Sequence, residues 1–198
     1  MEPLRGGNLG LPIPPPDVKA IWQKAAKKRT PVEWALRWVW NRPEVTVVLS
    51  GMNEESHIAE NLAIADKALP NLLTEAELKL VEEAGRTYRT LMKVPCTGCG
   101  YCMPCPSEVS IPRCFDIYNK MHLFGNDVEA KFSYALSMGG AFSGTRSYAS
   151  QCVRCEECLE KCPQHIEIPD FLEMVAEEME DEDLEKRIAI GKKMLNME

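Results

Sequence analysis

The sequence predicts a mainly α-helical protein in two parts, a partial α/β barrel over residues 1–92 followed by an all-helical domain over residues 93–198. Three observations carry this. Helix, buried strand, glycine and helix succeed one another between Thr30 and Ala68, the alternation of an α/β barrel. Eight of the nine cysteines fall into two short runs, CTGCGYCMPCP at 96–106 and CVRCEECLEKCP at 152–163. Each run ends in Cys-Pro and leads into an apolar pattern of helical period. The composition is that of an ordinary folded chain: 198 residues, 45% apolar and 27% charged, room for one or two domains. A net charge of −7 argues against a nucleic-acid partner. With no apolar run of membrane-spanning length and no secretory, transit or lipidation motif, a cytoplasmic protein with no membrane partner is expected.

Residues 1–16 are rich in Gly and Pro and read as loop. A short helix is expected over 17–28, with Ile21 and Trp22 inward. Thr30 as N-cap, Pro31 in the first turn and Glu33 three residues on make a capping box for the next helix, whose apolar stripe is Leu36, Val39 and Trp40 and which Pro43 stops. The run VTVVLS at 45–50 is β-branched without sustained polar alternation, the mark of a strand buried on both faces, and Gly51 ends it. Asn53 is expected to cap a helix to about Ala68. Thr74 and Glu77 form a second capping box, for a helix to about Met92.

The cysteine runs carry the chemistry. Three cysteines at two-residue gaps, closed by a fourth before a proline, is the ligand pattern of a [4Fe–4S] cluster, and two runs imply two clusters. The proline suits the first position of a helix, where no backbone N–H is needed. Because the fourth cysteine of such a run usually serves the other cluster, the expected ligands are Cys96, Cys99, Cys102 and Cys162 for one, and Cys152, Cys155, Cys158 and Cys105 for the other. The runs are also an internal repeat: Cys105-Pro106 through Ile111-Pro112 matches Cys162-Pro163 through Ile168-Pro169, with offsets of 56 residues for the first three cysteines and 57 for the fourth. The slip reflects a shorter last gap in the first run. Cys114 reads as a small buried residue. Two zinc ions are the alternative, but zinc sites rarely use a third cysteine at the same spacing or the Cys-Pro ending. A disulfide framework fits less well still.

Val94-Pro95 reads as a hinge into the second part. Helices are expected over 112–124, with Phe115, Ile117, Tyr118 and Met121 apolar, over 128–138, and over 169–180, with Phe171, Leu172 and Val175 inward. Gly139 to Thr145 reads as a flexible loop. The acidic run EEMEDEDLE at 177–185 and the helix expected after it, with Lys186, Arg187, Lys192 and Lys193, read as a solvated linker and terminal helix, or else as a docking surface for a basic redox partner. His165 reads as a surface residue, with hydrogen bonding to a cluster sulfide as the alternative.

The stretches EPLRGG, PVEWALRWVWNRPEVTVVLSGM and ESHIAENL resemble the C-terminal end of the aldo/keto reductase family. Their junction with a double cysteine run resembles the iron–sulfur branch of that family, in which the barrel is followed by a helical dicluster 4Fe–4S ferredoxin domain. The resemblance covers nearly the whole chain. It implies that Ser50, Gly51, Met52 and Asn53 lie along the adenosine phosphate of a nicotinamide cofactor and that Glu60 and Asn61 face the adenine. The family often has an arginine, which suits a 2′-phosphate, where this chain has His57, and its loss leans towards NAD or a poor site. The barrel strands carrying the family's catalytic Asp, Tyr, Lys and His have no counterpart here, so no catalytic residue is assigned. The resemblance thus implies a fragment, a truncated frame or one part of a split protein. It would bind NAD(P) only with the missing part of the barrel and would serve as an electron-transfer module of an oxidoreductase. The expected partners are a redox protein or that missing barrel portion, with a homo-oligomer as a further arrangement, since Trp34, Trp38, Trp40 and the strand would otherwise lack neighbours. The rival readings are a standalone ferredoxin-like carrier and a non-redox structural metal protein.

Overall fold

A computed structural model describes residues 3–195. The chain divides into two compact units, one reaching to Thr90 and the other beginning at Leu91. Nine α-helices form among the described residues: α1 (Pro16–Gln23), α2 (Pro31–Trp40), α3 (Glu55–Ala65), α4 (Glu75–Leu91), α5 (Ile111–Phe124), α6 (Asp127–Met138), α7 (Glu157–Lys161), α8 (Ile168–Met179) and α9 (Leu184–Met194). None is long and apolar enough to cross a membrane.

The fold is mainly helical, and it corrects the expected strand. Residues 45–50 form no strand, and none is present among the described residues. β-Structure needs a neighbour to take up its backbone groups. Here 46–49 make no backbone–backbone hydrogen bond. Val47 and Leu49, expected buried, are 72% and 57% exposed. The barrel alternation in the sequence therefore yields helices around an extended segment with no ladder.

The first unit is held by small cores and a charge cluster. Trp34 is buried and stacks on Trp22 with ring centroids 4.9 Å apart, while the Arg29 guanidinium lies 4.4 Å from the Trp34 ring centre. Trp34 was expected to lack neighbours; its own unit supplies them. Trp38 remains 40% exposed under Arg42. An apolar cleft of about 550 Å³ runs between Trp22, Trp34 and Trp38 on one side of its lining and Leu78, Val81 and Tyr88 of α4 on the other. The capping signals are realised unequally. Thr30 Oγ1 accepts the Glu33 N–H at 3.1 Å, but the Glu33 carboxylate turns to Arg37 at 2.7 Å instead of back to the cap. The Thr74–Glu77 box closes fully, with Thr74 Oγ1 accepting the Glu77 N–H at 3.3 Å and Glu77 accepting the Thr74 N–H at 2.9 Å. Asn53 does not cap α3, whose N-cap is Glu54 without a side-chain bond.

The second unit is a helical bundle with one continuous core, in which α5 packs on α6 and α8, and α6 on α9. Val94 is fully buried, and Asn119 clamps it from α5, accepting its N–H at 2.9 Å and donating to its carbonyl at 2.8 Å. Residue 94 is thus an anchor for the first cysteine loop. Most of the acidic run is exposed, as a solvated linker would be, but Glu180 and Asp181 are half-buried and several of its carboxylates are tied to the bundle. Tyr118 donates to Glu178 and Tyr134 donates to Glu180, both at 2.6 Å. Asp181 pairs with Lys131 at 2.8 Å and Arg187 at 2.6 Å, and Glu185 with Arg146 at 2.8 Å. His122 also meets Glu178, at 3.3 Å. At Gly191 on α9 a Cβ would run into Leu136 of α6, so the glycine permits the close approach of these helices.

The nearly buried Arg29–Glu77 pair, 2.6 Å apart, generates a prediction. Burial alone would push the Glu77 carboxyl up; the Thr74 backbone N–H and the Arg29 guanidinium outweigh it and hold the group below its ordinary value of 4.5. A depressed folded value means that the pair's stabilisation is present above about pH 4.5 and is lost as pH falls through the folded value. Arg29→Ala should cost the first unit roughly 3 kcal/mol at neutral pH and flatten this acid dependence. Tryptophan fluorescence during denaturation reads it, because all four tryptophans lie in this unit.

Candidate metal centre

The two cysteine loops have the same backbone. Gly98 and Gly100 take positive φ values of 71° and 78°, and the positions 56 residues later, Arg154 and Glu156, take 54° and 65°. Glu108 and His165, matched by the offset of 57, have φ values of 60° and 51°. Their N–H groups bond to the carbonyls of Cys105 and Cys162 at 3.0 and 3.1 Å. The left-handed residues fold each loop so that three thiols turn towards one side, and the chain then enters α5 or α8 at Ile-Pro. The Gly98 N–H also points at Cys96 Sγ, 3.4 Å away.

Each loop walls a hollow that the other loop completes. Cys96, Cys99, Cys102 and Cys162 line the first, with Phe115 and Ile166 among its apolar walls. Cys152, Cys155, Cys158 and Cys105 line the second. Cys102 and Ile111 line both, so the hollows adjoin through a shared wall. Both hollows are small, with free interiors of about 20 and 10 Å³. Among the described residues no three His, Cys, Asp or Glu side chains gather around the place of a single ion. Each hollow is lined by four cysteines, the number of thiolates that one [4Fe–4S] cluster takes.

The electrostatics fit such a centre. Burial, with the neighbouring thiolates of Cys96, Cys158 and Cys99, pushes the Cys102 thiol up to about 11. Burial and the thiolates of Cys152, Cys155 and Cys105 raise Cys158 likewise. Gathering four thiolates against mutual repulsion and desolvation is offset when they bind a cationic iron–sulfur core, which deprotonates its ligands. Cys114 stands apart. It is fully buried, lines neither hollow and lies 3.5 Å from the Met138 sulfur. Burial pushes its thiol up to about 12. His165 is exposed at the turn after Cys162.

The nucleotide residues inferred from resemblance lie in the first unit. Ser50, Gly51, Met52, Asn53, Glu60 and Asn61 all line one open cleft of about 500 Å³, together with Gly6, Gly7 and His57. Asn61 donates to Ser50 Oγ at 3.4 Å, and Glu60 accepts from Thr30 Oγ1 at 2.8 Å. Sequence reasoning missed Ile111 as the shared wall of the hollows, although the repeated Ile-Pro after each run marked its position. It also missed the Tyr134 hydroxyl, which accepts the Ala149 N–H at 2.9 Å and braces the backbone three residues before Cys152.

Two adjoining hollows are each lined by three cysteines of one loop and the last of the other. Residues 95–167 match the family model described as the 4Fe-4S dicluster domain. No curated protein and no solved structure matches the chain. The second unit thus contains a 4Fe–4S dicluster domain, a metal-binding module of the kind that serves electron transfer.

The crossing predicts selective losses. Cys162→Ala should empty the first hollow and Cys105→Ala the second, each leaving about four irons and four sulfides per chain, whereas Cys114→Ala should leave both centres intact. Iron and sulfide analysis of the anaerobically purified variants decides this. An uncrossed site would pair the losses by loop: Cys162→Ala would then act like Cys155→Ala.

Proposed function

We propose that this chain is the iron–sulfur electron-transfer module of an aldo/keto reductase-like oxidoreductase, with two [4Fe–4S] clusters held by the two crossed cysteine quartets. The observation that carries the reading is the pair of thiol-lined hollows sharing Cys102 and Ile111 as a wall. When bound, each cluster exchanges one electron. The chain's own residues bind and enclose it: the apolar flank of Ile111, Phe115 and Ile166 limits water on one side. On the other, Cys99 and Cys155 reach the surface beside Tyr101 and Val153, which are 64% and 70% exposed and offer a partner close approach.

The first unit supports the oxidoreductase context through the resemblance of its sequence and through the single cleft that gathers all six residues from Ser50 to Asn61. In this reading the cleft takes the adenosine end of NAD(P) when the rest of a barrel is supplied by a partner chain. The exposed Val47 and Leu49 then meet that chain or a second copy of this one, and a reducing, cytoplasmic setting keeps the thiols free.

Anaerobic purification with iron, sulfide and zinc analysis tests the core of the proposal. About eight irons and eight sulfides per chain are expected; about two zincs without sulfide would overturn it in favour of a structural metal protein. NAD(H) titration followed by tryptophan fluorescence then separates the reductase module, which responds once its barrel partner is present, from a standalone carrier, which does not. The pure chain should show no NAD(P)H-dependent aldehyde reduction.

A further inference from the structure

The two hollows are built by one repeated backbone, which makes each a control for the other. Their linings differ in charge. Among the described residues the first hollow is lined by no ionisable side chain other than its cysteines. The second is lined also by Glu156, Glu157 and Lys161. Most of the second loop's charges are compensated. Arg154 pairs with Asp170 and, at 3.1 Å, with Glu173. Lys161 faces Glu157 at 4.0 Å. Glu156 alone among the lining charges has no ion pair or side-chain hydrogen bond, and it does not cap α7.

Glu156 is also the wrong residue for its backbone. Its φ of 65° belongs to the left-handed region, where the first loop places Gly100 at 78°. An L side chain pays a conformational penalty there. A charged residue in a left-handed position thus lines the second hollow where the first loop has a glycine.

We propose that the Glu156 carboxylate sets the cluster of the second hollow at a lower potential than that of the first. The inference rests on the dicluster reading above. Reduction adds one negative charge to a centre already anionic, and a negative charge on a residue that lines the hollow disfavours it. Electrons then run downhill from the cluster of Cys152, Cys155, Cys158 and Cys105 to that of Cys96, Cys99, Cys102 and Cys162. Glu156 is exposed, so water and salt screen its effect.

The test is an EPR-monitored redox titration of the anaerobic holoprotein at low and high ionic strength. Wild type should show two midpoints that draw together as salt rises. Glu156→Gly supplies the residue that this backbone prefers, and Glu156→Gln removes the charge at nearly constant shape. Both should raise the lower midpoint, by similar amounts, and leave the upper one in place. Cys105→Ala should abolish the midpoint that moves. Equal midpoints in wild type, two midpoints unmoved by either variant, or a shift in Glu156→Gly without one in Glu156→Gln would overturn the inference while leaving the dicluster reading standing. The absence of any reducible iron–sulfur signal in wild type would overturn both.

Discussion

The exchange of the fourth cysteine between two loops is the constraint on which the second unit depends. Cys105 belongs to the first loop and faces the second hollow; Cys162 does the reverse. Neither quartet exists unless Cys162 is held against a loop 60 to 66 residues earlier and Cys105 against one 47 to 53 residues later. The rest of the unit supplies that register. Helices α5 and α8 start at equivalent points after the two loops and pack together, Asn119 fixes the entry to the first loop, and Tyr134 with Glu180 fixes the entry to the second. A metal-binding site of this kind couples ligation to folding, so clusters bound there would stabilise the bundle that positions their ligands.

The first unit illustrates the opposite situation. Its cores are small, centred on the Trp22–Trp34 stack in one place and on Leu36 and Ile64 in another. Much of its specificity is polar: the closed Thr74–Glu77 box, the Arg29–Glu77 pair and the Asn41 side chain that accepts the Leu73 N–H at 2.9 Å. The extended segment at 45–50 and the apolar cleft against α4 leave surface of the sort that proteins usually cover.

The sequence was most legible where covalent spacing decides the outcome. Cysteine gaps, the Cys-Pro endings and the repeat marked out the residues that the structure brings around the two hollows, and helical periodicity located every long helix to within a few residues. It was least legible where distant partners decide. The run VTVVLS has the composition of a buried strand, but a strand is a property of its neighbours, and residues 46–49 find none. The ties made from the acidic run were also hidden, because the partners Tyr118, Tyr134 and Lys131 lie 46 to 60 residues earlier. The left-handed turns at Arg154 and Glu156 were hidden because no glycine announces them; only alignment with Gly98 and Gly100 reveals them.

The most direct test of the crossed pair is the magnetic interaction between its members. Hollows that share Cys102 and Ile111 place two reduced clusters close enough for their spins to couple. EPR of the fully reduced protein should therefore show a broadened, interaction-split spectrum that collapses to a simple one in Cys162→Ala. Two independent, unsplit signals in the fully reduced wild type would contradict the shared wall and with it the account of the site.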